Sequence, residues 1–390
     1  MILRKKNNAN LSCTRNELFP QSRKSPPIPH DFRMRKDLHH GVSTFAPLAG
    51  DKRPHAHIIA RNTSHHTGQK GSRMSKPIND RKVAIIGCGF VGSSSAFALM
   101  QGGLFSEIVL VDVDRNRAEG EALDISHGMP FAHPCKIYAG DYNDIDDAAI
   151  IVITAGANQK PGETRLDLVQ KNVAIFKTII PQISERNYQG IILVVSNPVD
   201  ILTYVTLKLS GMPATRVLGS GTVLDSARFK YILGEHLSVD PRNVHARIVG
   251  EHGDSEVAVW STANISGIPI HDFCELRGHY DHEAAMKRIA EDVKNSAYEI
   301  IEKKHATYYG IAMTVKRICE AIARDEKTII PVSNYQNGEY GLDDVVLSMP
   351  AIVGRGGVEY KVPAPFNAQE LAQLHESAKT MKEVIETLDL

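Results

Sequence analysis

Residues 87–92 read Gly87-Cys88-Gly89-Phe90-Val91-Gly92, between an apolar run at 82–86 and a stretch of helical spacing at 91–100. A G-x-G-x-x-G turn that closes a strand and opens a helix leaves few folds open. Its glycines allow a tight turn, a close backbone approach to a ligand, and close packing of helix on strand. Asp112 ends the next apolar run, 108–111, twenty residues past Gly92. This arrangement suits a dinucleotide, with its pyrophosphate on the helix N-terminal amides and its ribose hydroxyls on the carboxylate. A carboxylate there repels a 2′-phosphate, so NAD is expected over NADP. The alternative is a Gly-rich turn without a ligand, and the register of strand, helix and acid argues against it. The expected cofactor contacts are Gly87, Gly89, Phe90, Val91, Gly92 and Asp112, with Gly156 at the end of another strand.

The segments that follow alternate. Strands are expected at 108–111, 150–154 and 191–196, with helices at 115–126 and 164–187, the last interrupted at Pro181. Such βαβα order predicts an α/β fold, a doubly wound parallel Rossmann sheet. After about residue 220 the pattern becomes mixed: helix at 222–237, strand at 243–249, and a long helical region at 283–324 broken near 305–310. Alternation follows at 328–362, with Asn337-Gly338 as a hairpin signal. The tail spaces Leu371, Leu374, Ala378, Met381, Ile385 and Leu388 along one helix face, opened by an Asn367/Glu370 cap. The expected organisation is an extension at 1–79, a dinucleotide-binding domain at 80–220, and a mixed α+β substrate domain at 221–390 capped by this helix.

The extension stands apart in charge. Residues 1–73 carry fourteen Lys/Arg against Glu17, Asp31, Asp37 and Asp51, with no amphipathic repeat, and are expected to be disordered. They lack a secretory apolar core. The expectation is an upstream artefact or inert tail preceding a natural start at Met74, with an organelle transit peptide as the alternative. The whole chain has a formal net charge of zero, which points to neither nucleic acid nor an anionic membrane as a partner. Cys13, Cys88, Cys135, Cys274 and Cys319 are scattered, without a Cys-x-x-Cys pair. Neither a metal site nor a disulfide framework is indicated, and a reducing, cytoplasmic location is expected. Cys88, at a helix N-terminus, is either a redox-sensitive thiol or a small filler; the filler is expected.

Three clusters carry chemistry: Gly250-Glu251-His252-Gly253-Asp254-Ser255, Asp225-Ser226-Ala227-Arg228, and residues 159–165 from Gln159 to Arg165. They supply a base that titrates near neutral pH, a carboxylate to orient it, and two arginines. One arginine suits a substrate carboxylate and the other a carbonyl, which is what hydride transfer on a 2-oxo acid requires.

From Arg81 onward these motifs together resemble the lactate/malate dehydrogenase family, the bacterial L-lactate dehydrogenases above all. The resemblance implies that His252 is the proton donor and acceptor and that Asp225 fixes its tautomer and favours imidazolium. Arg228 would grip the substrate carboxylate through a two-pronged pair that lysine cannot reproduce. Arg165, on a mobile loop, would polarise the substrate carbonyl. Asn197 would bond the same oxygen near the nicotinamide, with Asn197-Pro198 as a cis bond. Thr307 would line the substrate pocket and Ile311 the nicotinamide face. Gln159 stands where the malate enzymes hold arginine, so pyruvate and L-lactate are expected as substrates. A second carboxylate would lie uncompensated in the closed pocket. Larger 2-oxo acids stay open.

Many bacterial relatives are tetramers switched on by fructose 1,6-bisphosphate. His245 matches their phosphate-binding histidine, and Lys230 stands where they have arginine, so a homo-oligomer with weakened activation is expected. The alternatives are a malate or other 2-hydroxy acid dehydrogenase and, from another class, a catalytically idle NAD-binding structural protein.

Overall fold

The computed structural model describes residues 76–157 and 164–390. Strand β1 (Asn79–Ile86) leads through the glycine turn into helix α1 (Phe90–Gly102), then β2 (Glu107–Val111), α2 (Arg115–His127), β3 (Lys136–Ala139) and β4 (Ala148–Ile153). Helix α3 (Arg165–Ser184), β5 (Ile191–Val194), α4 (Val199–Ser210) and β6 (Val217–Gly219) complete the alternating part. Then come α5 (Val223–Leu237), β7 (Val244–Gly250), β8 (Glu256–Ile265), β9 (Ile268–Pro269), α6 (Ile270–Leu276), α7 (His282–Lys304) and α8 (Tyr309–Ala323). The chain ends with β10 (Thr328–Asn337), β11 (Asp343–Gly354), β12 (Gly357–Lys361) and α9 (Ala368–Ile385).

Among the described residues one sheet joins twelve strands, in the order β3-β2-β1-β4-β5-β6-β10-β11-β7-β8-β9, with β12 beside β11. The first six pair in parallel. The later strands join antiparallel, at Ser333 opposite Gly219 and Ser348 opposite Gly250. Both faces of the inner parallel strands are buried, which is why these strands read as unbroken apolar runs. Val83, Ile85, Ile108, Leu110, Ile150 and Val152 point to the α1/α2/α8 side. Ala84, Ile86, Val109, Val111, Ile151 and Ile153 point to the α3/α4/α9 side. The period of two sorts side chains between two cores. This is the expected α/β class, doubly wound and then mixed.

Several details differ from the sequence reading. β1 begins at Asn79, whose amide donates to the Asp147 carbonyl at 2.7 Å, so the first strand begins inside the stretch assigned to the extension. α3 runs unbroken through Pro181, because that proline sits in the last turn, where its missing N–H removes a bond near the helix end. The edge strand β3 escaped notice because it is short and only half-buried. The Asn337-Gly338 connection is a longer loop with a 3₁₀ turn at Glu339–Gly341 rather than a two-residue hairpin. Helix α9 has its Asn367/Glu370 capping box, but Leu374, Ala378 and Met381 enter the core shared with α3 and α4. It therefore braces the first half of the sheet as well as the second. Residues 1–75 and 158–163, Gln159 among them, lie outside the described residues.

Candidate active site

The ends of β1, β2 and β4 meet where the strand order reverses, the usual ligand crevice of doubly wound sheets. Gly87 has φ +100°, and a Cβ on it would stand 2.5 Å from the Ala155 amide nitrogen. A Cβ on Gly92 would stand 1.9 Å from the Gly87 carbonyl oxygen. Both glycines are required by close backbone packing. Gly89 is different: it caps α1 without a side-chain bond, and nothing lies within 4 Å of its added Cβ. The first turn of α1 therefore opens onto space beside it. Asp112 accepts from the Cys88 amide at 2.6 Å and the Asp114 amide at 2.9 Å, which holds the glycine turn against the end of β2. Open amides at α1 and a carboxylate at β2 fit a dinucleotide with free ribose hydroxyls. Phe90 stacks on Tyr308 with ring centroids 5.4 Å apart, while Val91 and Ile311 pack against the same apolar core. Burial pushes the Cys88 thiol up to about 12, and its Sγ lies 3.7 Å from the Val111 carbonyl. A buried thiol held protonated in this way is what a small filler residue needs.

The base is assembled from two segments. Asp225 sits in the first turn of α5, and His252 lies just beyond β7, where Gly250 turns at φ +88°. His252 Nδ1 is 2.6 Å from Asp225 Oδ2, and Arg228 Nη1 donates to Asp225 Oδ1 at 2.8 Å. The carboxylate is 3% exposed and the imidazole 25%, so a buried charge supports a base open to the crevice. Burial opposes the charge on both partners. On His252 the Asp225 carboxylate outweighs it, with Asp200 and Glu256 adding, and holds the imidazolium up to about 9. On Asp225 the His252 and Arg228 charges outweigh burial and hold the carboxyl below the usual range. Burial and the nearby Asp225 charge push Glu256 up to about 8. Arg228 also lines an open groove of about 540 Å³ between α5 and α7, so it spans the buried pair and accessible space.

The other expected site residues are placed less tightly. Arg165 opens α3 behind a Thr164/Asp167 capping box, at a helix start rather than within a loop. Asn197 has an exposed side chain, and its bond to Pro198 is cis. Gly156 is exposed, and Thr307 is half-buried in the break between α7 and α8. Among the described residues no hydrogen bond joins Thr307 to the His252 group. Lys230 is half-buried, and burial with the nearby Arg247 charge lowers its pKa; His245 is exposed on β7.

Four contributors have no local signature in the sequence. Asn172 of α3 is buried, accepts from the Ala157 amide at 2.7 Å and donates to the Asn197 carbonyl at 2.8 Å, tying two crevice loops together. Ser377 of α9 accepts from the Glu251 amide at 2.8 Å, next to the base. Asp200 of α4 and Arg247 of β7 are the others. Each acts across a distance in the chain that no motif spans.

Fold and site together define a dinucleotide-dependent oxidoreductase. Family models described as "lactate/malate dehydrogenase, NAD binding domain" and "lactate/malate dehydrogenase, alpha/beta C-terminal domain" match residues 81–219 and 222–389. The chain is 55% identical over 310 residues to an L-lactate dehydrogenase of Acetivibrio thermocellus, covering 80% of this chain and 98% of that one. It is also 55% identical to one of Thermoanaerobacterium saccharolyticum, covering 79% and 99%. A minor L-lactate dehydrogenase of Enterococcus mundtii, solved in its ligands-bound form, superposes with a TM-score of 0.77 at 47% identity, covering 80% and 99%. The chain belongs to the lactate/malate dehydrogenase family, and it is an NAD-dependent enzyme.

Proposed function

We propose that the chain interconverts L-lactate and pyruvate, and that the Asp225–His252–Arg228 cluster carries the reaction. Bound NAD supplies the hydride acceptor, and NADH the donor, at the crevice formed by Gly87–Gly92 and Asp112. His252 makes its bond to Asp225 through Nδ1, which leaves Nε2 to take the hydroxyl proton of lactate or return it to the forming alcohol. Asp225 favours the protonated imidazole, so the proton donor persists at neutral pH. Arg228 keeps one nitrogen on Asp225 and offers the rest of its planar fork to the substrate carboxylate. Arg165 and Asn197 steady the substrate carbonyl oxygen, Thr307 and Gln159 line its pocket, and Gly156 and Ile311 lie along the cofactor. The 2.6 Å pair between Nδ1 and a buried carboxylate is the observation that carries this reading. A steady-state assay with pyruvate, oxaloacetate and 2-oxoisocaproate, each with NADH, tests it. A preference for oxaloacetate would overturn it.

The working form in this proposal is a cytoplasmic homo-oligomer, a tetramer. Large apolar side chains exposed on α2, α5 and α8 support self-association: Leu123, Tyr231, Tyr309 and Met313. The buried free thiols Cys88, Cys135, Cys274 and Cys319 suit a reducing compartment. Fructose 1,6-bisphosphate is the proposed effector, held by Lys230 and His245. Lys230 and Arg247 support it, since they repel each other while half-buried and neither has an ion-pair partner among the described residues. An added phosphate would relieve that repulsion. Titrating the bisphosphate at low pyruvate, with sedimentation, tests both effector and assembly. A response that His245→Ala leaves untouched would remove His245 from the site.

A further inference from the structure

We infer that Asp200 is a positioning residue for the catalytic pair, a buried hub that holds His252 by its backbone and the helix of Asp225 through Ser348. Asp200 is 2% exposed, in the first turn of α4, three residues past Asn197. Its Oδ2 accepts from the His252 amide at 2.7 Å. Its Oδ1 accepts from Ser333 Oγ of β10 at 2.7 Å and from Ser348 Oγ of β11 at 3.2 Å. Ser348 Oγ in turn accepts at 3.1 Å from the amide of Thr222, the residue that caps the helix of Asp225. One carboxylate therefore ties the turn that carries Asn197, the loop of the base and the start of its partner's helix.

Asp200 is buried, and a carboxylate there is costly unless its lone pairs are used. Three donors use them. A Cβ on Gly221 would stand 2.6 Å from Ser348 Oγ, so the hub has no slack on that side. Its charge also reaches the base. Asp200 faces His252 and Glu251 from the loop after β7, and Ser333 and Ser348 from β10 and β11. His252 is faced in addition by Asp225 of α5, which carries the Arg228 pair, and by Glu256 of β8. Burial raises the Asp200 carboxyl to about 6, well below the value of about 9 for His252. Asp200 is therefore an anion over the range in which the imidazolium gives up its proton, and it stabilises that cation.

This inference rests on His252 being the base, and the test separates the two. In Asp200→Asn the amide oxygen can accept from the His252 N–H while the amide nitrogen donates to the two hydroxyls. Shape is kept and charge is lost. The ring ¹⁵N resonances of His252, assigned by comparison with His252→Asn, are titrated in the full-length enzyme without cofactor, and kcat for pyruvate is measured in parallel. Asp200→Asn is expected to lower the His252 pKa by about one unit. Asp200→Ala, which also releases the loop, is expected to lose about 10²-fold in kcat. Should Asp200→Ala not fold, Ser348→Ala and Ser333→Ala take its place. Ser348→Ala is expected to cost more turnover, because it also frees the Thr222 amide. An unchanged His252 titration in Asp200→Asn, wild-type kcat in Asp200→Ala, or equal effects of the two serine variants would overturn the assignment. Wild-type turnover in His252→Asn would instead overturn the reading of the base, whatever the titration shows.

Discussion

Asp225 Oδ2 and His252 Nδ1 lie 2.6 Å apart although 27 residues separate them in the chain. The carboxylate is buried and the ring is partly open, so the pair holds a proton at the edge of the crevice. With His252 as the proposed base, pyruvate reduction needs the imidazolium and lactate oxidation the neutral ring. The reduction rate should therefore fall as pH rises through about 9, while oxidation should gain over the same range. Asp225→Asn should move both limbs toward lower pH. His252→Asn should lose about 10²–10⁴-fold in kcat while NADH binding, followed by fluorescence, stays close to wild type. Near-normal turnover in that variant would mean that another group moves the proton.

In the proposed assignment Gln159 is the residue that selects substrate, and it carries no charge. Pyruvate should exceed oxaloacetate in kcat/KM by about 10²-fold or more, since a dianion in a closed pocket is left uncompensated. Gln159→Arg should reverse the order. Equal kcat/KM for both substrates in the unaltered enzyme would remove the role assigned to Gln159.

The glycine turn separates folding from binding. Gly89→Ala adds a methyl to open space at an ordinary φ, so the melting temperature should hold while NADH affinity drops. Gly92→Ala drives a Cβ into the Gly87 carbonyl and should lower both. Calorimetry with and without NADH distinguishes them. Unchanged NADH affinity in Gly89→Ala would place the cofactor elsewhere.

Glu256 is held near 8 by burial and by the Asp225 charge, far above the ordinary glutamate value. Between the two values the folded chain keeps a proton that the unfolded chain has released. Stability from this group is therefore present at low pH and lost as pH rises through about 8. Glu256→Gln should gain melting temperature relative to wild type as pH is raised from 5 to 9, and little at pH 4. A pH-independent difference between the two proteins would show that Glu256 titrates normally.

Much of this protein follows from short-range pattern. The glycine turn, the unbroken runs of β1, β2, β4 and β5, and the Asn367/Glu370 box of α9 are each written within a single turn, strand or cap. Local periodicity and capping chemistry are covalent-neighbour effects, so they can be read in order along the chain. The motifs around His252, Asp225 and Arg228 could likewise be read as a base, an orienting acid and an anion grip. Their mutual distances could not. Those depend on β10 and β11 entering the sheet between β6 and β7, a choice made by long-range strand pairing. The same insertion brings Ser333 and Ser348 to Asp200 across 133 and 148 residues. It also lets α9 reach back to the core of α3 and α4 and set Ser377 on the amide of Glu251, 126 residues away. A polar residue in an apolar segment looks the same in sequence whether it is solvated or is the hub of a buried network. Only the packed structure, where each donor must find an acceptor out of reach of water, assigns Asp200 and Asn172 their partners.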